Sequence, residues 1–155
     1  MPCGETAAHP TMSRNEALVV FEHRVSTFPW RLLRPGFRHC LCLVRDGAVW
    51  NLCDPLKTRI VLKAVEGLSE AELHGALSAR GAIVLRGLVS PDTRDRSTRL
   101  PAMTCVEVVK RVLNVELPWA ITPYQLYRGL QHLAVPFVRL EQPARSNSKL
   151  DVAEE

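Results

Sequence analysis

Two apolar runs joined by an Asp-Gly turn constrain this chain more than any other feature. Phe37-Arg38-His39-Cys40-Leu41-Cys42-Leu43-Val44 leads into Arg45-Asp46-Gly47-Ala48, and Val49-Trp50-Asn51-Leu52-Cys53-Asp54 follows, with Pro55 closing the second run. Asp-Gly between two such runs is a strong short-range signal for an antiparallel hairpin. Side chains alternate across a strand, so His39, Leu41 and Leu43 share one face while Cys40, Cys42 and Val44 share the other. His39 on the first strand and Asp54 at the end of the second can then meet across the ladder. Trp50 alternates in step with Leu52 and Asp54, which makes it a candidate lining residue if Asp54 faces a cleft.

A second local signal lies far downstream, at Thr104-Cys105-Val106-Glu107. Thr104 is an N-cap residue and Glu107, three positions on, completes a capping box. Cys105, Val109, Val112 and Leu113 have the spacing of one buried helical face. A thiol in the first turn of a helix sits near the positive end of the macrodipole, which favours thiolate. The same start signal occurs twice more. Ser69-Glu70-Ala71-Glu72 opens a helix to about Arg80, and Thr122-Pro123-Tyr124-Gln125 opens one to about Gln131 with proline at the first helical position. Strands are expected at 17–22, 59–64 and 82–89, with a short edge strand within 135–140. The expected class is α+β: a small antiparallel sheet of about five strands packing one face on two or three helices. The Cys105 helix should lie with its N-terminus over the His39 strand.

The length of 155 residues fits one domain, expected over 16–140 between a loose polar leader (1–15) and a polar tail (141–155). Hydrophobic content of 46% with 23% charged residues is that of an ordinary globular protein. No apolar run approaches the roughly 18 residues of a membrane span, and the first residues carry no secretory signal. The expectation is a protein that is cytoplasmic as synthesised and not bound to a membrane. Five cysteines, an odd number without disulfide-framework spacing, point to free thiols. A net charge of +4 permits a polyanionic partner without requiring one. There is no glycine-rich phosphate loop and no basic-aromatic motif, so a nucleic-acid partner is not expected. Arg31 and Arg34 stand out because their segment runs into the His39 strand. The long Arg- and Asp-rich stretch 90–103 leads directly into the Cys105 helix, where a lid or contact surface is often found.

Taken in order, these motifs resemble a known family. An Arg-His at the start of a strand, a hairpin ending in Asp54-Pro55-Leu56, then Thr104-Cys105-Val106-Glu107-Val108-Val109-Lys110-Arg111 and Ile121-Thr122-Pro123-Tyr124-Gln125-Leu126-Tyr127 are similar to the circularly permuted papain-like (NlpC-type) superfamily of cysteine amidases and peptidases. The resemblance runs from about Ala17 to Leu130 and is nearest to small phage- and prophage-associated members. It implies Cys105 as nucleophile, His39 as base and Asp54 as the residue orienting the imidazole, with Asn51 and Asp46 as alternatives in the third position. It further implies an amide substrate such as bacterial cell-wall peptide. The alternative is a catalytically silent scaffold that serves as a phage or prophage structural protein and is virion-associated.

Tyr124, on the helix after the Cys105 helix, is a candidate substrate contact. No cofactor is implied. His39, Cys40, Cys42, Cys53 and Cys105 supply soft ligands of the kind zinc takes. However, alternation turns His39 away from Cys40 and Cys42, and there is no Cys-x-x-Cys pair, so no metal site is expected. Cys40, Cys42 and Cys53 are instead expected as packing residues on the far side of the sheet.

Overall fold

The structure is a computed structural model that describes residues 15–24, 30–90 and 104–142. Its frame is one antiparallel sheet of six strands: β1 (Glu16–Glu22), β2 (His39–Asp46), β3 (Val49–Pro55), β4 (Ile60–Val65), β5 (Ile83–Leu88) and β6 (Val138–Arg139). Their spatial order is β4-β3-β2-β1-β5-β6. Three helices complete the α+β architecture: α1 (Glu70–Ala79), α2 (Cys105–Leu113) and α3 (Pro123–Gln131). The sheet is one strand larger than the expected five, because the two-residue β6 pairs with β5 through Leu85 and Arg86. The leader and tail expected over 1–15 and 141–155, and all but Ser90 of the loop expected over 90–103, lie outside the described residues apart from Asn15, Glu141 and Gln142.

The hairpin forms where its turn signal places it, with Asp46 opposite Val49 and Cys42 opposite Cys53. Gly47 supplies the positive φ, 58°, that primed hairpin turns require and that a side chain would resist. All three helices start at their expected caps. Ser69 with Glu72 and Thr122 with Gln125 make complete capping boxes. At α2 only half of the box forms. Thr104 Oγ1 accepts from the Glu107 N–H at 3.2 Å, but the Glu107 carboxylate turns to Lys110 instead of the cap backbone.

Helices cover both faces of the sheet, not one. The reason is visible in β1, where Ala17-Leu18-Val19-Val20-Phe21 is continuously apolar and every side chain is buried. A strand of that kind needs cover on both sides. Ala17, Val19 and Phe21, with Cys40, Cys42, Cys53 and Leu85, form a core against Val106, Val109 and Leu113 of α2 and Leu126 and Leu130 of α3. Leu18 and Val20, with Leu41, Leu43, Trp50 and Val84, form a second core under Leu73 of α1.

The expectation that Cys40, Cys42 and Cys53 lie on the far side of the sheet from the cysteine helix is therefore overturned. α2 lies on β2 and β3 on the very face these three cysteines occupy. The alternation was right; what a strand pattern does not contain is which face receives which helix.

β5 shows how close the packing is. A Cβ placed on Gly87 would lie 2.4 Å from the Phe137 ring, closer than any real contact. Phe137 is 2% exposed, so the ring has nowhere to swing. Gly87→Ala is expected to lower stability by about 1–3 kcal/mol, the usual cost of overpacking a core, read as a fall in the midpoint of denaturant unfolding. Restoring the midpoint with a compensating Phe137→Leu would assign the loss to this contact.

Candidate active site

Cys105 is the first residue of α2, half-buried above β2. Its sulfur accepts hydrogen bonds from the Cys40 thiol, from the His39 ring and from the Cys40 main-chain N–H. The Cys40 bond is the largest influence and, with the His39 bond, outweighs burial, so that the Cys105 thiol is pulled down to about 4. Cys40, wholly buried, is pushed the other way by desolvation and stays a thiol that donates. The protein thus holds an acidic cysteine beside a non-acidic one, the difference set by the bonds Cys105 accepts from Cys40 and His39 and by the complete burial of Cys40.

His39 is the first residue of β2, opposite Glu22 of β1. Its Nε2 lies 2.6 Å from Asp54 Oδ1, and the ring also bonds to the Cys105 side chain. Burial alone would lower the imidazole pKa, but the bonds to Cys105 and Asp54 outweigh it and raise it above the ordinary histidine value. Asp54, one residue from the end of β3, also accepts from Arg24 Nη2 at 2.8 Å. Burial pushes its carboxyl up, but Arg24 and His39 together outweigh that and hold it below its usual range. Arg24 is itself fixed by Glu22, through Nε at 2.9 Å, and Glu22 lies 3.7 Å from Arg80 at the end of α1. The result is a continuous relay of charge-assisted bonds, Glu22–Arg24–Asp54–His39–Cys105, drawn from four separate parts of the chain.

Asp54, His39 and Cys105 therefore converge. The alternatives for the third position do not. Asp46 sits at the opposite end of β2, paired with Val49 at the turn, and Asn51 pairs with Val44 and Ala64 with its side chain exposed. Trp50 does not line the site, contrary to expectation. It pairs with Arg45 and Val65 near the turn and is 1% exposed in the core under α1. Its alternation does match that of Asp54, but four residues nearer the turn that face is closed. Tyr124 lies on the Cys105 side of the sheet, its ring 5.1 Å from Phe37, two residues before His39. Cys42 and Cys53 bond to one another across the ladder; that bond, together with burial, raises the Cys42 thiol. Among the described residues no group of three or more His, Cys, Asp or Glu side chains forms a metal-binding cluster. Nor is any described helix long and apolar enough to cross a membrane.

Three participants carry no motif that marks them in the sequence: Cys40, Arg24 and Glu22. Glu22 did carry a weaker signal, since a carboxylate ending a fully buried apolar strand requires a partner. Arg24, two residues on, is that partner.

The linkage at Asp54 has a definite sign. A carboxyl whose pKa is lowered by folding contributes stability above its unfolded pKa of about 3.9, and loses it as pH falls through the folded value. Asp54→Asn is expected to cost about 2 kcal/mol at pH 7, in the range of buried charge-assisted hydrogen bonds. The gap from wild type should be smaller at an acid pH below the unfolded value than at pH 7, since it closes as the native carboxyl takes up its proton. Urea unfolding at the two pH values checks this; a gap independent of pH would mean the carboxylate charge is not what stabilises the fold.

In comparisons with protein-family models, with curated proteins and with solved structures, the chain has no match.

Proposed function

We propose that the protein is a cysteine-dependent amidase or peptidase of the permuted papain-like kind, with Cys105 as nucleophile, His39 as acid and base, and Asp54 as the residue that holds the imidazole. The observation that carries this reading is the meeting of a helix-N-terminal cysteine with a His39–Asp54 pair bonded at 2.6 Å, from elements up to 66 residues apart in sequence. The triad logic needs a nucleophile, a base and an orienting group within hydrogen-bond reach of one another.

In the reaction the Cys105 thiolate attacks the carbonyl carbon of an amide, forming a C–S bond and a tetrahedral oxyanion. The first N–H groups of α2 have no intrahelical acceptor, so the Cys105 N–H is available to that oxyanion. The protonated His39 gives its proton to the leaving nitrogen as the C–N bond breaks. Neutral His39 then takes a proton from water, whose oxygen attacks the thioester, and the thiolate departs as the acid product forms. Asp54, held by Arg24, keeps Nε2–H engaged and so leaves Nδ1 for the chemistry. The substrate class that the family resemblance favours is bacterial cell-wall peptide.

The test is turnover of isolated cell-wall peptides, read by mass spectrometry as new amine and acid ends. An acyl adduct trapped on Cys105 should accompany it. Cys105→Ala should lower the rate by at least about a thousandfold. Equal product formation by wild type and Cys105→Ala would reject the enzyme reading and turn attention to a silent scaffold within a phage particle.

A further inference from the structure

A cavity of about 520 Å³ opens on the same side of the sheet as Cys105, between α3 and the strand edge. Its size is that of a small-molecule site. Phe37 and Tyr124 are among the aromatic side chains that wall it, and Arg34, Arg128, His132 and Arg139 stand around it. Among the described residues no carboxylate lines it.

Several cations of the described surface are neutralised by a partner. Arg24, Arg45, Arg80 and Arg86 each pair with a glutamate or aspartate, as does the buried Lys110. Among the described residues Arg34, Arg128 and Arg139 make no ion pair, although they come from three separate segments and meet at one opening. Like charges gathered around a concave, partly apolar space repel one another, and the field they focus there is relieved by an anion.

Arg34 adds geometry. Its guanidinium lies 4.1 Å over the Tyr124 ring. A guanidinium over a ring face keeps N–H donors free of the ring, and such a fork can take a carboxylate or phosphate bidentately. The Tyr124 ring is supported in turn by Phe37 at 5.1 Å and by Tyr127, stacked at 6.3 Å. The stack therefore rests on packed aromatics, not on a mobile side chain.

We propose that this cavity binds the anionic group, carboxylate or phosphate, of a ligand whose apolar portion rests on Phe37 and Tyr124. Arg34 and Arg128 grip the anion and Arg139 adds to the field. The inference does not require Cys105 to be a nucleophile, and binding is expected to survive Cys105→Ser.

The test uses the full chain, with benzoate and phenyl phosphate as anionic probes and benzamide as the neutral match, followed by NMR of the arginine side-chain N–H and tyrosine ring signals. At least one anion should give saturable shifts at Arg34, Arg128 and Tyr124, with benzamide at least tenfold weaker. The exposed double variant Arg34→Gln with Arg128→Gln should weaken the anion at least tenfold, while Lys63→Gln on the distant β4 strand should leave it unchanged. Saturation by phenyl phosphate alone assigns a phosphate ligand, and by benzoate alone a carboxylate. Benzamide binding as tightly as the anions, no saturable shift with either anion, or an unchanged affinity in the double variant would each overturn the proposal.

Discussion

Cys105 should alkylate with iodoacetamide along a pH profile that rises through about 4, four or more units below an ordinary thiol. Two effects oppose one another in the rate, because a low pKa raises the thiolate fraction but weakens the thiolate. At pH 5 an unperturbed thiol with pKa about 8.5 is ionised to roughly 1 part in 3,000, whereas Cys105 would be almost wholly ionised. A thiolate about 4.5 units less basic loses roughly a hundredfold in intrinsic nucleophilicity at a Brønsted slope near 0.45. The net advantage at pH 5 is therefore about thirtyfold over a free cysteine peptide. Above about pH 6.5 the order should invert, since more than roughly one part in a hundred of the reference thiol is then ionised and its thiolate is about a hundredfold more nucleophilic. That crossing is the signature of a stabilised thiolate; mere exposure would speed the reaction at every pH.

His39→Ala should remove part of the advantage by moving the Cys105 profile up toward the ordinary thiol range, since one of its bonds and the facing positive charge are lost. Cys40→Ala should act in the same direction, because its S–H bond is the largest single influence on the Cys105 sulfur. Peptide mass spectrometry separates Cys105 from the buried Cys40, Cys42 and Cys53. A wild-type profile centred near 8.5 would remove the ion-paired nucleophile, and with it the mechanism proposed above.

The largest loss of stability should come from Lys110→Ala. Lys110 is 7% exposed and its ammonium meets three acceptors: the Glu107 carboxylate on the same helix face, and the Leu117 and Ala120 carbonyls at 3.1 Å each. Those carbonyls belong to the connection between α2 and α3, so a single side chain pins the two helices together. Removing it leaves a buried carboxylate without a counter-charge and two carbonyls without donors. Breaking one side of a buried pair costs about 3–5 kcal/mol, a large part of the 5–15 kcal/mol that typically holds a domain together. Glu107→Gln should cost distinctly less, since the amide oxygen still accepts and the ammonium keeps both carbonyls. Urea unfolding of the two variants checks the order. Equal and small effects would mean that apolar packing alone holds α2 to α3.

Lys110 also illustrates why a capping box is read more easily than its outcome. Thr104 and Glu107 have the spacing of the reciprocal pair, and Thr104 plays its part. Glu107 has two partners within reach, the cap N–H behind it and Lys110 ahead. Burial of both charged groups decides for Lys110, since leaving either one unpaired costs more than leaving a half-exposed N–H to other acceptors. The two complete boxes, at Ser69 and Thr122, have no buried cation competing for the glutamate or glutamine.

What the sequence determined by itself was local. A turn needs glycine at positive φ, a helix start needs an acceptor at its cap, and alternation follows from strand geometry, so the hairpin, the three helix starts and the α+β class are legible in the order of residues alone. His39, Asp54 and Cys105 are legible as residue types in suitable local settings, and Arg34 as a cation entering the same region. The tertiary structure alone decided which face each helix covers. It thereby put Cys40 under the Cys105 sulfur, closed Trp50 into a core and brought Arg24 and Glu22 behind Asp54. These depend on contacts between residues far apart in the chain, whose energies come from shared burial and charge pairing and leave no periodicity in the sequence that makes them.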